Sequence, residues 1–485
     1  MFRAILYSLF FLLNVAVFAN VRSRRVRQPI LLISSYVLYL SWGAWFSGVL
    51  LTSTVMNFLL GKWLRRTPAR LILMTGILLN LGLLGIFKYL PEVAVNVPLS
   101  SLQRFAHLAL PLGISFWTFQ AMSYLFDLYR GEGLGPSLSE FALYMAFFPV
   151  AISGPICRMP DMLPQFRSQE VTAWKDIARG FTRIATGILM MQLARLLGQG
   201  ILSGDGINRG FDRLTVWSGT DVWCLAFGYA LQLFFDFAGY SHIAIGAAKS
   251  LGFTLPENFV RPFQATTPST FWTHWHMSLS FWIRDYVFLP VAMLRGEMWW
   301  RNLTLALSMV LFGLWHKASL LFLLWGSYQG VLLVVHRQLR QMQLKLGWNP
   351  PTTLWLPLSW LATTTLISLG WILFRANSMP QAVQMLAAVF SPANYLSHFV
   401  SGSLYLLVFA LVIGYATVLL INDLLDRQSV KSEATVVGLP SAIIAALARN
   451  RWYWIPPLYG LTLLVVVIVT HTQDAGAAQF MYRRF

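Results

Sequence analysis

The chain has 485 residues, of which 57% are hydrophobic and only 11% are charged. A soluble domain carries roughly 25% charged residues, so this composition excludes an ordinary soluble enzyme and indicates a membrane protein. The formal net charge is +18. Because the cations are scattered over loops between apolar segments, they fit membrane topology and anionic headgroups better than a nucleic-acid-binding face.

Apolar segments that could cross a bilayer recur along the whole chain. They predict an all-α, polytopic transmembrane protein with roughly ten to twelve spans, since one span needs about 20 apolar residues. The segments are residues 3–19, 29–60 (two elements), 71–90, 108–128, 141–156, 177–197, 220–237, 302–314, 319–336, 354–374, 404–421 and 454–471. Without a long soluble stretch or an internal repeat, we expect residues 1–485 to form one membrane domain.

A basic cluster follows the first apolar segment directly. It comprises Arg22, Arg24, Arg25 and Arg27. Such a flank predicts a retained helix with its basic end in the cytoplasm, rather than a cleaved signal peptide. We find no metal-ligand spacing along the chain and therefore predict no metal site.

His316 lies in an almost uncharged apolar stretch, residues 302–335, between Trp315 and Lys317. Ionisable groups at membrane depth are rare and usually face a cavity, a partner or a substrate path. Burial in apolar surroundings keeps an imidazole neutral, which is the form that a general base needs. The alternative is a surface turn over residues 314–317 between two shorter membrane helices.

Polar residues also interrupt the apolar segment near residue 236. Gln232, Asp236 and Tyr240 recur every four residues and therefore share one helix face. An acidic side chain among phenylalanines must point inward, to a partner or to water. The alternative is a polar cluster for helix packing, with Gly239 allowing close approach of a neighbour.

Residues 272–287 combine aromatic and ionisable side chains. They predict one helix that lies near the membrane interface and does not cross the hydrocarbon core. On that helix His276, Ser280 and Arg284 would stack at successive turns, next to Asp285. Its amphipathic aromatic surface would consist of Trp272, Trp275 and Trp282. An interfacial helix with an aromatic belt explains the tryptophans but not the ionisable residues.

The motifs FWTHWHMSLSFWIRDYVF and, about forty residues later, LWHKASLLFLLWG resemble the membrane-bound O-acyltransferase (MBOAT) family. Further matching segments, at residues 115–131, 147–166, 236–263 and 478–485, keep the order of that family's bacterial polysaccharide branch, typified by the alginate O-acetyltransferase membrane protein. Residues 275–288 are also similar to the branch that D-alanylates teichoic acids.

The resemblance implies a ring of helices around a central funnel or tunnel. It implies that His316 is the catalytic residue and that His276 is a second important position in the same tunnel, so we expect the two histidines to lie close together. The expected substrate-binding residues are Trp272, Trp275, Arg284, Asp285, Asp236, Tyr240, Lys317 and Trp315. It further implies a bacterial inner-membrane protein with no bound cofactor, acetyl-CoA as donor, a polysaccharide acceptor and an extracytoplasmic acetyltransferase partner.

Three departures from the family leave the substrates open, and one of them is at Lys317. Lys317 follows the Trp-His pair where the alginate branch usually has Gly. Transfer of D-alanyl to a teichoic-acid-like polymer therefore stays an alternative. A transporter or flippase is an alternative of a different class, because buried ionisable residues and broken helices also occur there. The concentration of polar motifs in one region and the lack of repeated halves favour an enzyme.

Overall fold

A computed structural model describes residues 2–96, 105–106, 108–168, 170–201, 204–348 and 351–431. Helices dominate these residues, and their one isolated β-bridge joins Phe259 to Trp275. The predicted all-α class is confirmed. The predicted span at 454–471 and the terminal motif at 478–485 lie outside the described residues.

The helices follow one another with short connections. The first half of the chain contains α1 (Phe2–Asn20), α2 (Arg24–Trp42), α3 (Ala44–Arg66), α4 (Arg70–Leu84), α5 (Leu90–Asn96), α6 (Ile114–Tyr129), α7 (Leu138–Ala146), α8 (Met159–Arg167), α9 (Trp174–Gln199), α10 (Ile207–Asp212) and α11 (Gly219–Ser250). The second half contains α12 (Pro268–His274), α13 (Met277–Ile283), α14 (Leu289–Ala292), α15 (Met298–His316), α16 (Leu320–Lys345), α17 (Thr352–Arg375), α18 (Met379–Val389) and α19 (Gly402–Lys431). Two π-helical turns, Gly85–Tyr89 and Arg284–Phe288, extend α4 and α13.

The chain forms two compact units that alternate along the sequence. The first unit contains the described residues up to Ile184, together with Ser241–Phe259 and Trp275–Thr304. The second unit contains Ala185–Tyr240, Val260–His274 and the described residues from Leu305 onward. The prediction of one domain over residues 1–485 stays a prediction.

Among the described residues, six helices are long and apolar enough to cross a membrane. They are Ala44–Arg66, Arg70–Ala94, Gly219–Ser250, Leu320–Lys345, Thr353–Arg375 and Gly402–Leu419. The chain is therefore polytopic, as predicted, and the larger predicted number of spans stays a prediction.

The predicted span over residues 141–156 does not form a continuous helix. Helix α7 ends at Ala146, and a short 3₁₀ turn and bends follow. Pro149 and Pro155 lack the amide proton that a helix needs, and Gly154 has a φ of 132°, far outside the helical region. This stretch instead leads the chain into α8.

Two glycines let α15 and α16 cross at close range in the second unit. A Cβ atom added to Gly313 would lie 2.3 Å from the carbonyl oxygen of Phe322, and one added to Gly326 would lie 2.5 Å from that of Met309. Small residues allow helix backbones in membranes to approach in this way. The crossing places the end of α15, where His316 lies, beside the first turns of α16.

We expect Gly326→Leu to disrupt this crossing. Overpacking a tight contact costs roughly 1–3 kcal/mol, so the detergent-solubilised protein should lose its monodisperse form at a clearly lower temperature than wild type. Gly82→Leu is the matched control, because a Cβ at Gly82 meets nothing within 4 Å. Equal melting midpoints for the two variants, measured by size-exclusion after heating, would show that the crossing does not require glycine.

Candidate active site

His316 is the last residue of α15 and is only 7% exposed. A short turn follows before α16 begins at Leu320, and Lys317 in that turn is exposed. The alternative of a surface turn over residues 314–317 is wrong for residues 314–316, which are helical; the turn comprises residues 317–319. The imidazole of His316 is buried although it ends a helix.

Aromatic rings enclose the imidazole of His316, and we call them the His316 cage. The centroid distances to the imidazole are 4.7 Å for Trp315, 5.2 Å for Phe374, 5.3 Å for Phe312, 5.9 Å for Trp325 and 6.2 Å for Phe322. These rings come from α15, α16 and α17. An imidazole in such a position is shielded from bulk water by apolar surface.

Two further tryptophans pack against the cage from outside. The ring of Trp272 lies 5.1 Å from Phe312 and 5.9 Å from Trp325, and Trp371 stacks on Trp325 at 5.7 Å. The structure thus brings together three residues that the sequence marked separately. They are His316, Trp315 and Trp272.

Polar groups without hydrogen-bond partners lie beside this cage. Four buried side-chain atoms there have no hydrogen-bond partner among the described residues: the indole nitrogens of Trp272 and Trp325, and the amide nitrogen and oxygen of Gln329. Gln329 follows Trp325 by one turn on α16. Since buried polar groups nearly always have partners, these groups indicate a place where a polar ligand atom would be stabilised.

The prediction of a single helix over residues 272–287 is wrong. Helix α12 ends at His274, and His276 has a left-handed backbone with a φ of 44° before α13 begins at Met277. The cause is a contact with a distant segment. Trp275 pairs with Phe259, and the Met277 amide donates to the carbonyl of Asn258 at 2.9 Å. His276 therefore caps α13 rather than stacking with Ser280 and Arg284 on one helix.

The side chain of Asn258 fixes this turn. Its carbonyl oxygen accepts from the Ser278 hydroxyl at 2.6 Å, and its amide donates to the Ser241 hydroxyl at 3.2 Å. His276 is 1% exposed, and burial lowers its pKa to about 3. The imidazole is therefore neutral at physiological pH. Trp275 is also buried and meets the ring of Phe259 edge-on.

Asp285 is the centre of an ion-pair cluster in the first unit. It accepts from Arg284 at 2.6 Å and from Arg158 at 2.8 Å, while Arg130 donates to its backbone carbonyl at 2.7 Å. Burial raises the pKa of Asp285, but the hydrogen bonds from Arg284 and Arg158 outweigh it and hold the pKa below its usual value. The carboxylate of Asp285 thus fixes the positions of the Arg284 and Arg158 guanidinium groups. Arg284 remains half exposed.

Gln232, Asp236 and Tyr240 lie on α11, as their spacing predicted, and the first two are buried. A Cβ at Gly239 would lie 2.7 Å from the carbonyl oxygen of Gly187 on α9. This close approach supports the alternative that the segment serves helix packing, and the role of Asp236 and Tyr240 in substrate binding stays a prediction.

The sequence interpretation did not identify the part of the cage that α16 and α17 supply. Phe322 and Trp325, like Trp371 and Phe374, are spaced by three residues. That spacing puts each pair on one helix face and could have marked two aromatic faces. It could not have shown that both faces meet His316.

Comparison with known proteins finds similarity to acyltransferases throughout. Residues 59–374 match the model of the membrane-bound O-acyltransferase family. The chain is 34% identical to a probable alginate O-acetylase of Pseudomonas aeruginosa, over 76% of this chain and 70% of that protein. It is 31% identical to a peptidoglycan O-acetyltransferase of Helicobacter pylori, over 73% and 72%. It is 29% identical to a teichoic acid D-alanyltransferase of Bacillus subtilis, over 55% and 69%.

The left-handed backbone at His276 predicts a selective response to substitution. Asn adopts this conformation readily, whereas a β-branched residue does not. We expect His276→Val to be less stable than His276→Asn by about 1–2 kcal/mol, although Val is the more apolar side chain at a buried position. Thermal midpoints of the purified variants measure the difference. The same pair at His274, which lies in a helix, is the control, and equal midpoints for both His276 variants would contradict the backbone argument.

Proposed function

Since the chain belongs to the membrane-bound O-acyltransferase family and is therefore a multi-pass membrane O-acyltransferase, we propose that it acetylates a polysaccharide. The donor would be a cytoplasmic thioester, acetyl-CoA, and the acceptor a hydroxyl group of an exported or cell-surface glycan. The protein would lie in the bacterial inner membrane. The observation that carries the proposal is the burial of His316 in an aromatic cage, next to polar groups without partners.

His316 acts as the general base in this proposal. Its imidazole takes the proton of the acceptor hydroxyl while the hydroxyl oxygen attacks the thioester carbonyl carbon. The resulting tetrahedral intermediate collapses, the carbon–sulfur bond breaks, and the imidazolium returns the proton to the thiolate. The products are an ester on the glycan and a free thiol. The rings of the cage keep water from competing with the acceptor.

Trp325 supplies the stabilising donor for the oxyanion of that intermediate. Its ring centroid lies 5.9 Å from that of the His316 imidazole, and its indole N–H is buried with no hydrogen-bond partner among the described residues. A fixed donor at the position of developing charge lowers the barrier because it needs no reorganisation during the reaction. Gln329, one turn further along α16, can fix a second polar atom of the substrate.

The remaining predicted residues receive supporting roles. His276, as a neutral imidazole, orients substrate by a hydrogen bond. Arg284 and Lys317, which both have exposed groups, contact the phosphates of the donor, and Asp285 positions Arg284. Trp272, Trp315, Trp275, Asp236 and Tyr240 form walls of the substrate path. The expectation that His276 and His316 face one tunnel stays a prediction.

The acetyl group is preferred because two of the similar proteins named above are O-acetylases or O-acetyltransferases of glycans. D-Alanyl transfer is the second candidate, favoured by the weaker similarity to a teichoic acid D-alanyltransferase. Mass spectrometry of the acyl group released from the polymer distinguishes the two. The acyl group reaches the glycan directly or through an extracytoplasmic acetyltransferase partner.

We expect His316→Ala to abolish acylation of the polymer in cells while the protein accumulates in the membrane at its normal level. Removing a positioned base costs roughly 10²–10⁴-fold in rate. Ester content of the isolated polymer and immunoblots of the membrane fraction give the two readouts. His336→Ala is the control, because His336 lies on α16 away from the cage and contacts Ser269.

Wild-type acylation in the His316→Ala strain, with the protein present, would remove the central residue of the proposal. Loss of acylation in the His336→Ala strain as well would attribute the effect to folding rather than to chemistry.

Trp325→Phe tests the oxyanion donor separately from packing. Phenylalanine keeps an aromatic ring in the cage but lacks the N–H group, so we expect a loss of at least about tenfold in acylation rate, toward the roughly 10²-fold known for a lost oxyanion donor. Trp371→Phe, which changes a ring stacked on Trp325 but outside the cage, should retain activity within about threefold, because it removes no donor to the intermediate. Equal losses in both variants would indicate a packing effect and exclude the indole as donor.

A further inference from the structure

A cleft of about 770 Å³ opens in the first unit where α1 ends and α2 begins. Arg24, Arg25 and Gln28 line it on α2, together with the apolar side chain of Leu32, and Ser139 of α7 lines the opposite wall. None of these residues belongs to the proposed active site. The cleft therefore needs its own explanation.

The cleft carries more positive than negative charge. Glu140 is paired with Arg24 at 2.5 Å and with Arg167 at 2.9 Å. The hydrogen bond from Arg167 and those from Ser137 outweigh the effect of burial and lower the pKa of Glu140 to about 2. One carboxylate thus serves two arginines. Within the described part of the chain, no carboxylate forms an ion pair with Arg25.

A buried guanidinium lies beneath the cleft. Arg27 is 7% exposed, lies over the ring of Phe18 and donates to the backbone carbonyl of Glu170. No carboxylate among the described residues pairs with it, and its Nε is buried without a hydrogen-bond partner, as is Nε2 of Gln28. A small cavity that Arg24 and Gln28 also line reaches Arg27. A buried guanidinium without a paired carboxylate is energetically costly. Binding of an anion close to these arginines would therefore be favourable.

The surroundings of the cleft indicate what carries that anion. Ile33, Val37 and Leu40 are spaced at helical intervals on α2 and are 62%, 48% and 53% exposed. In a membrane protein such an apolar stripe faces acyl chains. The stripe begins next to Leu32, which lines the cleft, and continues along α2 away from the arginines. If the stripe contacts acyl chains, the arginines of the cleft lie at the level of the lipid headgroups.

We propose that this cleft binds an anionic phospholipid, with its phosphodiester between Arg24 and Arg25 and an acyl chain along Ile33, Val37 and Leu40. The lipid places a negative charge close to the cluster of arginines at the start of α2 and joins α2 to α7. This site is independent of the acyl transfer chemistry.

Native mass spectrometry of the full-length protein, released from nanodiscs that contain phosphatidylglycerol and phosphatidylcholine in equal amounts, tests the proposal. We expect retention of one phosphatidylglycerol by the wild type. Arg25→Gln should weaken its binding about fivefold, which corresponds to about 1 kcal/mol for one arginine near the membrane surface. Arg66→Gln, at the exposed end of α3, is the matched control and should leave retention unchanged.

Equal retention of the two lipids, or an equal effect of Arg25→Gln and Arg66→Gln, would overturn the proposal. Free coenzyme A or inorganic phosphate is added in a second arm. If coenzyme A or inorganic phosphate displaces phosphatidylglycerol at micromolar concentration, the cleft binds a soluble anion, and the proposal of a lipid site is wrong. Acylation activity is recorded in parallel, so failure of the lipid site and failure of the proposed chemistry are distinguishable.

Discussion

The burial of His316 at the end of a helix is the constraint on which the proposed chemistry depends. A helix end exposes carbonyl groups and normally lies near water. Here the glycine crossing of α15 and α16 brings Phe322 and Trp325 over the imidazole, and α17 adds Phe374. A bulkier residue at Gly313 or Gly326 would separate the helices and open the cage. The catalytic role proposed for His316 therefore depends on two glycines that take no part in the proposed reaction.

His276 is buried by a different local structure. No glycine crossing surrounds it; a distant segment, through Asn258 and Phe259, holds its backbone in a left-handed turn and buries the ring. Burial alone then lowers its pKa. The two histidines are thus both buried, although the local structures around them differ. A substitution at His276 affects the backbone as well as the chemistry, which is why the Asn and Val variants are informative.

The sequence predicted the helical membrane class correctly because that class depends on local composition, whereas the catalytic role of His316 stays a prediction. It also predicted that Gln232 and Asp236 share a helix face, since periodicity is local. It did not predict the break at Trp275, because the pairing with Phe259 depends on a contact that no helical pattern encodes. The cage was missed for the same reason: its rings come from three helices, and only tertiary packing brings them together.

Two sets of polar groups among the described residues differ in how they are paired. Glu140 and Asp285 are each held by two arginines, so their charges are used within the fold. The indole of Trp325, the amide of Gln329 and the Nε of Arg27 have no such partner among the described residues. Leaving a buried polar group unpaired costs roughly 1–3 kcal/mol, and a fold that keeps such groups gains when a ligand satisfies them. For this reason the proposed substrate site and the proposed lipid site are both placed at unpaired groups rather than at the ion pairs.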